Sequence, residues 1–273
     1  MRGPHFRPSV QISRREWSGH NRRVTPEHAA AVSRSAVHYL GDAFTECPVT
    51  VRHAQQRGLS GWSYHVASRA GVLGYVSTAT VTAALGMLGP ELVRDAWEYA
   101  RRLLPPTEIA AQRAAECCRW GTAQLDRFPA VNRLVGLTGR MLAAADATAM
   151  PLFAAWRALP SPDVTPGARA ATHLHLLREH RRAAYLIAVR AGGLTPVEAL
   201  VAGPEGEAAA AACGWAGPYP RVGPLLRRRM WTEAVTDRLA GQPFTALSPA
   251  ERAELVDLLD EAAAGHFDTP ASP

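Results

Sequence analysis

Nowhere along this chain do apolar and polar residues alternate with period two over six positions. A half-buried strand needs that alternation, because successive side chains leave a sheet on opposite faces. What recurs instead is a helix-start signature: a hydroxyl residue, a proline and an acid within one turn. Thr25-Pro26-Glu27, Thr195-Pro196-Val197-Glu198 and Ser248-Pro249-Ala250-Glu251 all carry it. The hydroxyl accepts an N–H that has no intrahelical partner. Proline sacrifices no bond in the first turn, and the acid faces the positive end of the helix dipole. The expected class is all-α.

Helices are expected from Pro26 to about Tyr39, from Pro48 to Gln56 with Gly58 as the stop, and through the small residues between Gly61 and Ala83. Others run from Pro90 to just before Pro105-Pro106, over 107–125 and over 130–147. Pro160-Ser161-Pro162 reads as a hinge. A long helix follows, from Pro166 to Ala191, closed by Gly192-Gly193. Shorter helices are expected from Thr195-Pro196 onward, at 204–213 and at 225–239, with a last one after Ser248. The resulting division is a basic arm (1–24), a helical N-terminal domain (25–160), a long helix with a C-terminal domain (161–265) and a tail (266–273).

Composition narrows the chemistry. The 273 residues are 47% hydrophobic and 20% charged, which suits a chain with a sizeable core. All 30 basic residues are arginine. Without lysine there is no Schiff-base residue for a pyridoxal-phosphate enzyme and no Walker A lysine. Scarce isoleucine and asparagine alongside absent lysine point to a GC-rich genome. The net charge is +6, and part of the excess lies in the first 23 residues, where Glu16 is the one acid. Such an arm either stays solvated or binds nucleic acid. Cys47, Cys117, Cys118 and Cys213 form no C-x-x-C pair, so reduced thiols in a cytoplasmic protein are expected. No apolar leader or membrane span is evident.

The densest polar cluster lies on the long helix: His173, His175, Arg178, Glu179, His180, Arg181, Arg182 and Tyr185. His173 and His180 share a stripe with Leu177, Ala184 and Ile187, the apolar face. Seven residues separate them, about 10.5 Å along the axis, too far for one metal ion. His175 and Glu179 have i, i+4 spacing, but H-E-x-x-H is absent and no metal is expected. The plain alternative is a core histidine beside a solvated arginine-rich face. Arg69 stands among small and apolar residues, where a charge is costly without a partner. Either it pairs with Glu179, or its planar fork grips a ligand carboxylate or phosphate. His38 and His65 are placed to line the same pocket. No cofactor motif occurs: G-x-S-x-G and G-x-G-x-x-G are both missing.

Several spaced blocks carry a resemblance. Gly58-Leu-x-Gly61, Tyr64, Ala67-x-Arg69-Ala70 and Leu73-Gly74 form the first, and Pro151-Leu-Phe-Ala-Ala with Leu159-Pro160 the second. Leu177-Arg-Glu-His-Arg181 with Gly193-Leu-x-Pro-x-Glu198-Ala-Leu200 is the third, and Thr236-Asp-Arg-Leu-Ala240 the fourth. Over about residues 28–265 the chain resembles an actinobacterial helix-turn-helix, winged-helix-like family. The resemblance implies helices packed on a winged-helix-like C-terminal part. The chain departs from it at Tyr185, where the family has histidine, and at Val72, where it has proline. Between Arg229 and Thr232 there is no room for the hairpin wing, so a degenerate wing is expected.

Three functions remain open. The leading one is a metabolite-binding protein, in its catalytic form a cofactor-independent enzyme of specialised or antibiotic metabolism. His180, Tyr185 and Glu179 would supply acid/base chemistry for isomerisation, cyclisation or elimination. Arg69, Arg181, His38, Tyr64 and His65 would hold a small anionic metabolite. The second is a ligand-responsive DNA-binding regulator. Against it, the 204–213 helix is alanine-rich with Glu205 and Glu207 and has no base-reading side chain, so DNA binding is expected to be weak or unspecific. The third is a helical interaction protein without chemistry.

Overall fold

The computed structural model describes residues 24–160 and 165–267. The basic arm up to residue 23, residues 161–164 of the hinge region and the tail from residue 268 lie outside the described residues. Every regular element described is helical, so the chain is all-α. In order these are α1 (Pro26–Val32), α2 (Arg34–Leu40), α3 (Ala43–Glu46), α4 (Pro48–Gln56), α5 (Gly61–Ala70), α6 (Thr78–Leu85), α7 (Pro90–Leu103) and α8 (Pro106–Leu125). There follow α9 (Val131–Ala144), α10 (Pro151–Arg157), α11 (Pro166–Ala191), α12 (Pro196–Val201), α13 (Gly206–Ala212), α14 (Leu226–Gly241) and α15 (Pro249–Phe267).

The capping signals act as the sequence suggests. The Thr25 hydroxyl accepts from the His28 N–H, and Thr195 and Glu198 form a reciprocal capping box. Glu251 accepts from the Ser248 N–H while Ser248 accepts from that of Glu251. Two expected helices are broken. The first divides at Ser33, whose hydroxyl bonds back to the Ala29 carbonyl, a local bond that competes with helix continuation. The small-residue stretch divides at Gly74, whose φ of 75° takes the chain out of the helix before α6. Residues 226–241, where the resemblance suggests a degenerate wing, are one helix, α14.

α11 is the axis of the molecule. It packs against α8, α9, α10, α2 and α14, and is buried on most of its faces. Glycine permits the close crossing of α8 and α11. A Cβ on Gly121 of α8 would lie 2.5 Å from the Gly167 carbonyl oxygen and 2.6 Å from the Ala171 Cβ. Buried apolar residues from Ala29 to Ala262, on both sides of residue 160, form one continuous cluster. A smaller one joins Val189 and Leu194 to Ala199, Ala202 and Leu225. A helix wrapped by neighbours has no fully solvated face, and its polar side chains must find partners inside.

Candidate functional site

The polar side chains of α11 meet those of α2, α5 and α8 in the interior. Gly41, which ends α2, permits this. A Cβ there would sit 2.6 Å from the Leu174 carbonyl oxygen and 2.9 Å from the Arg178 Cβ. Bare backbone at this point brings Asp42 against α11. Arg178 Nη2 then donates to Asp42 Oδ2 at 2.5 Å, and Arg113 Nη2 of α8 donates to Oδ1 at 2.9 Å. Arg113 Nη1 also donates to the Ser68 hydroxyl, and its guanidinium lies 4.8 Å from the centre of the Phe44 ring.

Arg69 of α5 pairs with Glu179 of α11. Nε donates to Oε1 at 2.9 Å and Nη2 to Oε2 at 2.7 Å, with side-chain exposures of 5% and 1%. This is the parallel fork expected of arginine and carboxylate. Arg178 Nη1 adds a longer contact to Glu179 Oε1 at 3.4 Å. The Arg69 carbonyl accepts from Trp156 Nε1 at 3.1 Å, fixing the end of α5 against α10. Burial pushes both carboxyls toward protonation, but the guanidiniums outweigh it. Asp42, under Arg178 and Arg113, and Glu179, under Arg69, lie far below the usual carboxylate range.

One cation in this network is unmatched. Arg182 stands one turn beyond Arg178 on the same stripe of α11 as His175. It makes no hydrogen bond or ion pair with the described residues. Burial, then the Arg178 and Arg69 charges, push its proton affinity well below the usual arginine value, against the opposing pull of the Glu179 and Asp42 carboxylates. Its charge acts on His38 of α2 and on His65 of α5, and neither ring has a hydrogen-bond partner among the described residues. The surrounding protein, followed by the arginine charges, lowers the proton affinity of both rings, so both are neutral at pH 7. Solvent nonetheless reaches His38, and reaches Arg182 and His65 in part. Arg182, His38 and His65 thus lie near enough for their charges to interact, at a partly wet place between α2, α5 and α11 that is the candidate cleft.

The other expected site residues lie elsewhere. His180 is buried edge-on to Phe153, ring centres 5.0 Å apart, and burial lowers it to about 4. It faces Arg157 and Asp146 rather than the cleft. Arg181 turns toward α1 and α14, donating to the Ala30 carbonyl at 3.1 Å and to Asp237 at 2.6 Å. The Tyr185 hydroxyl accepts from Arg229 of α14 at 2.7 Å. The Tyr64 hydroxyl is buried without a hydrogen-bond partner among the described residues, and of the charges acting on it that of Arg113 is the strongest. His38, His65, Arg69 and Glu179 therefore belong to one network, and His180, Arg181 and Tyr185 to other faces of α11.

Sequence reasoning missed Asp42 and Arg113, and placed Arg178 and Arg182 in the polar cluster of the long helix without giving either a role. Ala171, His175, Arg178 and Arg182 recur at helical spacing, so the stripe itself was visible. Nothing local shows that α2, α5 and α8 cover it. Among the described residues no group of histidine, cysteine and acidic side chains is arranged to hold a metal ion. No described helix is long and apolar enough to cross a membrane.

No curated protein and no solved structure matches the chain. The model of a helix-turn-helix family matches residues 29–221, well over half of its length and the whole of the buried ionic network. The chain belongs to this helix-turn-helix family.

Proposed function

We propose that this protein binds a small anionic metabolite in the cleft between α2, α5 and α11, with Arg182 as the anchoring cation. The observation that carries this reading is the unpaired state of Arg182 among other arginines. A half-buried guanidinium that feels Asp42 and Glu179 only at a distance and has no hydrogen-bonded carboxylate of its own is a place a ligand anion can complete. Arg69, placed among the ligand contacts by sequence, serves instead as a support, because Glu179 occupies its fork. The geometry favours binding over the acid/base constellation of His180, Tyr185 and Glu179, whose members do not share the cleft. The groups there able to accept a proton are the neutral imidazoles of His38 and His65. The four free thiols suit the cytoplasmic setting we propose for it.

The test is a calorimetric titration of the full chain and of Arg182→Leu with a panel of small mono- and dianions. Saturable binding that the substitution weakens at least tenfold supports the reading. Binding of equal strength in both proteins, or no binding to either, refutes it.

A second reading, a DNA-binding regulator, is favoured by the family match and by the exposed Arg221, Arg227 and Arg228 around the start of α14. It has to contend with α13, which offers alanines and Glu207 where a reading helix needs arginine, asparagine or glutamine. Titration against the protein's own upstream duplex and a scrambled one decides it. A clear preference for the former in 150 mM salt, near physiological ionic strength, would establish this reading.

A further inference from the structure

We infer that the start of α14 is a docking surface for an acidic, amphipathic segment of a partner protein. This surface is separate from the cleft between α2, α5 and α11 and does not rest on it. Four large apolar side chains, Val222, Leu226, Met230 and Trp231, stand in solvent there, and Met230 is 73% exposed. Scattered exposed apolar residues are ordinary, whereas these four are neighbours. Leu226 and Met230 are one turn apart on α14, as are Arg227 and Trp231, so the two rows lie side by side. Val222 precedes them across the single helical turn 223–225. The patch is held firmly. α14 buries Thr232, Thr236 and Ala240 on its inner side. A Cβ on Gly192 would lie 3.3 Å from the Trp231 ring, so that ring rests on the end of α11.

Charge identifies the occupant. From Gly214 to Thr232 the chain carries four arginines and no acidic residue. Arg229 is used internally, on Tyr185, the Ala199 carbonyl and Glu233. Arg221, Arg227 and Arg228 are exposed. The next acid, Glu233, is held by Arg229 and Arg34. A second copy applied through the same patch would set arginine against arginine. The chain's own first 23 residues, with Glu16 as the one acid among arginines, carry the same sign. Duplex phosphates would meet the arginines but leave Val222, Leu226 and Met230 in water. A lipid surface takes helices whose charges stand opposite the apolar face. Here Arg227 falls between Met230 and Trp231 around the helix, inside the apolar surface. An acidic amphipathic segment satisfies both features. Its large apolar side chains cover Leu226, Met230 and Trp231, and the carboxylates flanking them take the forks of Arg227 and Arg228. Tryptophan, methionine and arginine are also side chains in which protein interfaces are enriched.

The experiment is fluorescence anisotropy on the full chain in 150 mM salt, near physiological ionic strength. The probes are a labelled amphipathic helical peptide of leucine and glutamate, the same peptide with lysine for glutamate, and the same peptide with serine for leucine. A labelled DNA duplex and phosphatidylglycerol vesicles, the latter by co-sedimentation, complete the set. The leucine–glutamate peptide is expected to bind saturably, at least tenfold more tightly than either altered peptide. Met230→Ser and Arg227→Gln should each weaken it at least fivefold with the melting temperature maintained, since both side chains are exposed. No binding of the leucine–glutamate peptide refutes the assignment. So does equal binding of the lysine or the serine peptide. Peptide binding that survives Met230→Ser lies elsewhere on the chain and overturns it as well. If the duplex or the vesicles bind more tightly than the peptide and are released by Arg227→Gln, the surface belongs to nucleic acid or lipid and the protein-partner assignment falls.

Discussion

Replacing Glu179 should harm this protein more than replacing Arg69, although the two are halves of one ion pair. Both side chains are almost wholly buried and joined by two short bonds, so removing either orphans the other. Breaking such a pair costs about 3–5 kcal/mol. For a protein of this size that corresponds to a fall in melting temperature of roughly 6–20 °C. The surroundings make the two losses unequal. Arg69→Met leaves Glu179 with Arg178, 3.4 Å away, and removes one of the surplus positive charges. Glu179→Leu leaves Arg69 unpaired, takes that contact from Arg178, and adds a third unmatched charge to the two already present. Glu179→Leu should therefore fall near the upper end of the range and Arg69→Met near the lower. The double variant should recover a large part of the loss, because it buries no orphaned charge. Urea denaturation of the four proteins measures all three quantities. A cost below about 1 kcal/mol for either single variant, the level of an exposed pair, would refute the reasoning. So would a greater loss for Arg69→Met than for Glu179→Leu.

Arg182→Leu should stabilise the unliganded protein by on the order of 1 kcal/mol, since it removes like-charge repulsion and orphans no carboxylate; a lower melting temperature in anion-free buffer would show that Arg182 has a structural partner. Acid should destabilise the fold from about pH 6.5 downward. Burial lowers His175 to about 3 and His180 to about 4, so between those values and about 6.5 the unfolded chain holds protons that the folded chain lacks. Each ring then contributes a slope of about 1.4 kcal/mol per pH unit, with stability highest above pH 6.5. His180→Asn should make the measured slope between pH 6 and 5 shallower by one proton, and parallel slopes would contradict this. Gly41→Ala should cost about 1–3 kcal/mol, because its Cβ would meet the Leu174 carbonyl oxygen and the Arg178 Cβ and push Asp42 away from Arg178. Wild-type stability on chemical denaturation would show that α2 can shift without loss.

The helical class and most helix limits were legible because they depend on local chemistry. Pro48–Gln56 and Pro166–Ala191 begin at proline and end beside glycine or arginine, and the structure has both helices with the expected limits. The Arg69–Glu179 pair could also be anticipated, since a charge among small apolar residues needs a partner and the long helix offered one. What could not be read was which face of α11 each neighbour covers. His180 and Glu179 are adjacent in sequence yet point about 100° apart around the helix, one toward α10 and the other toward α5. Asp42 follows a glycine in a short connection, where an acid is ordinarily solvated. Its role depends on the tight α2–α11 contact at Gly41, a tertiary fact with no local signature. Arg113 was hidden for the same reason, on a helix whose burial comes from partners far away in the chain.

The central claim is that Arg182 is left unpaired so that an anion can complete it. Crystals of the full chain grown with selenate, a tetrahedral dianion visible by its anomalous scattering, test this most directly. The account predicts a strong selenium peak in the cleft between α2, α5 and α11. The selenate oxygens should lie about 3 Å from the Arg182 guanidinium and from at least one of the His38 and His65 rings. A cleft without anomalous density at a selenate concentration that fills other surface sites, or an Arg182 guanidinium turned away from the cleft onto a protein carboxylate, would contradict it.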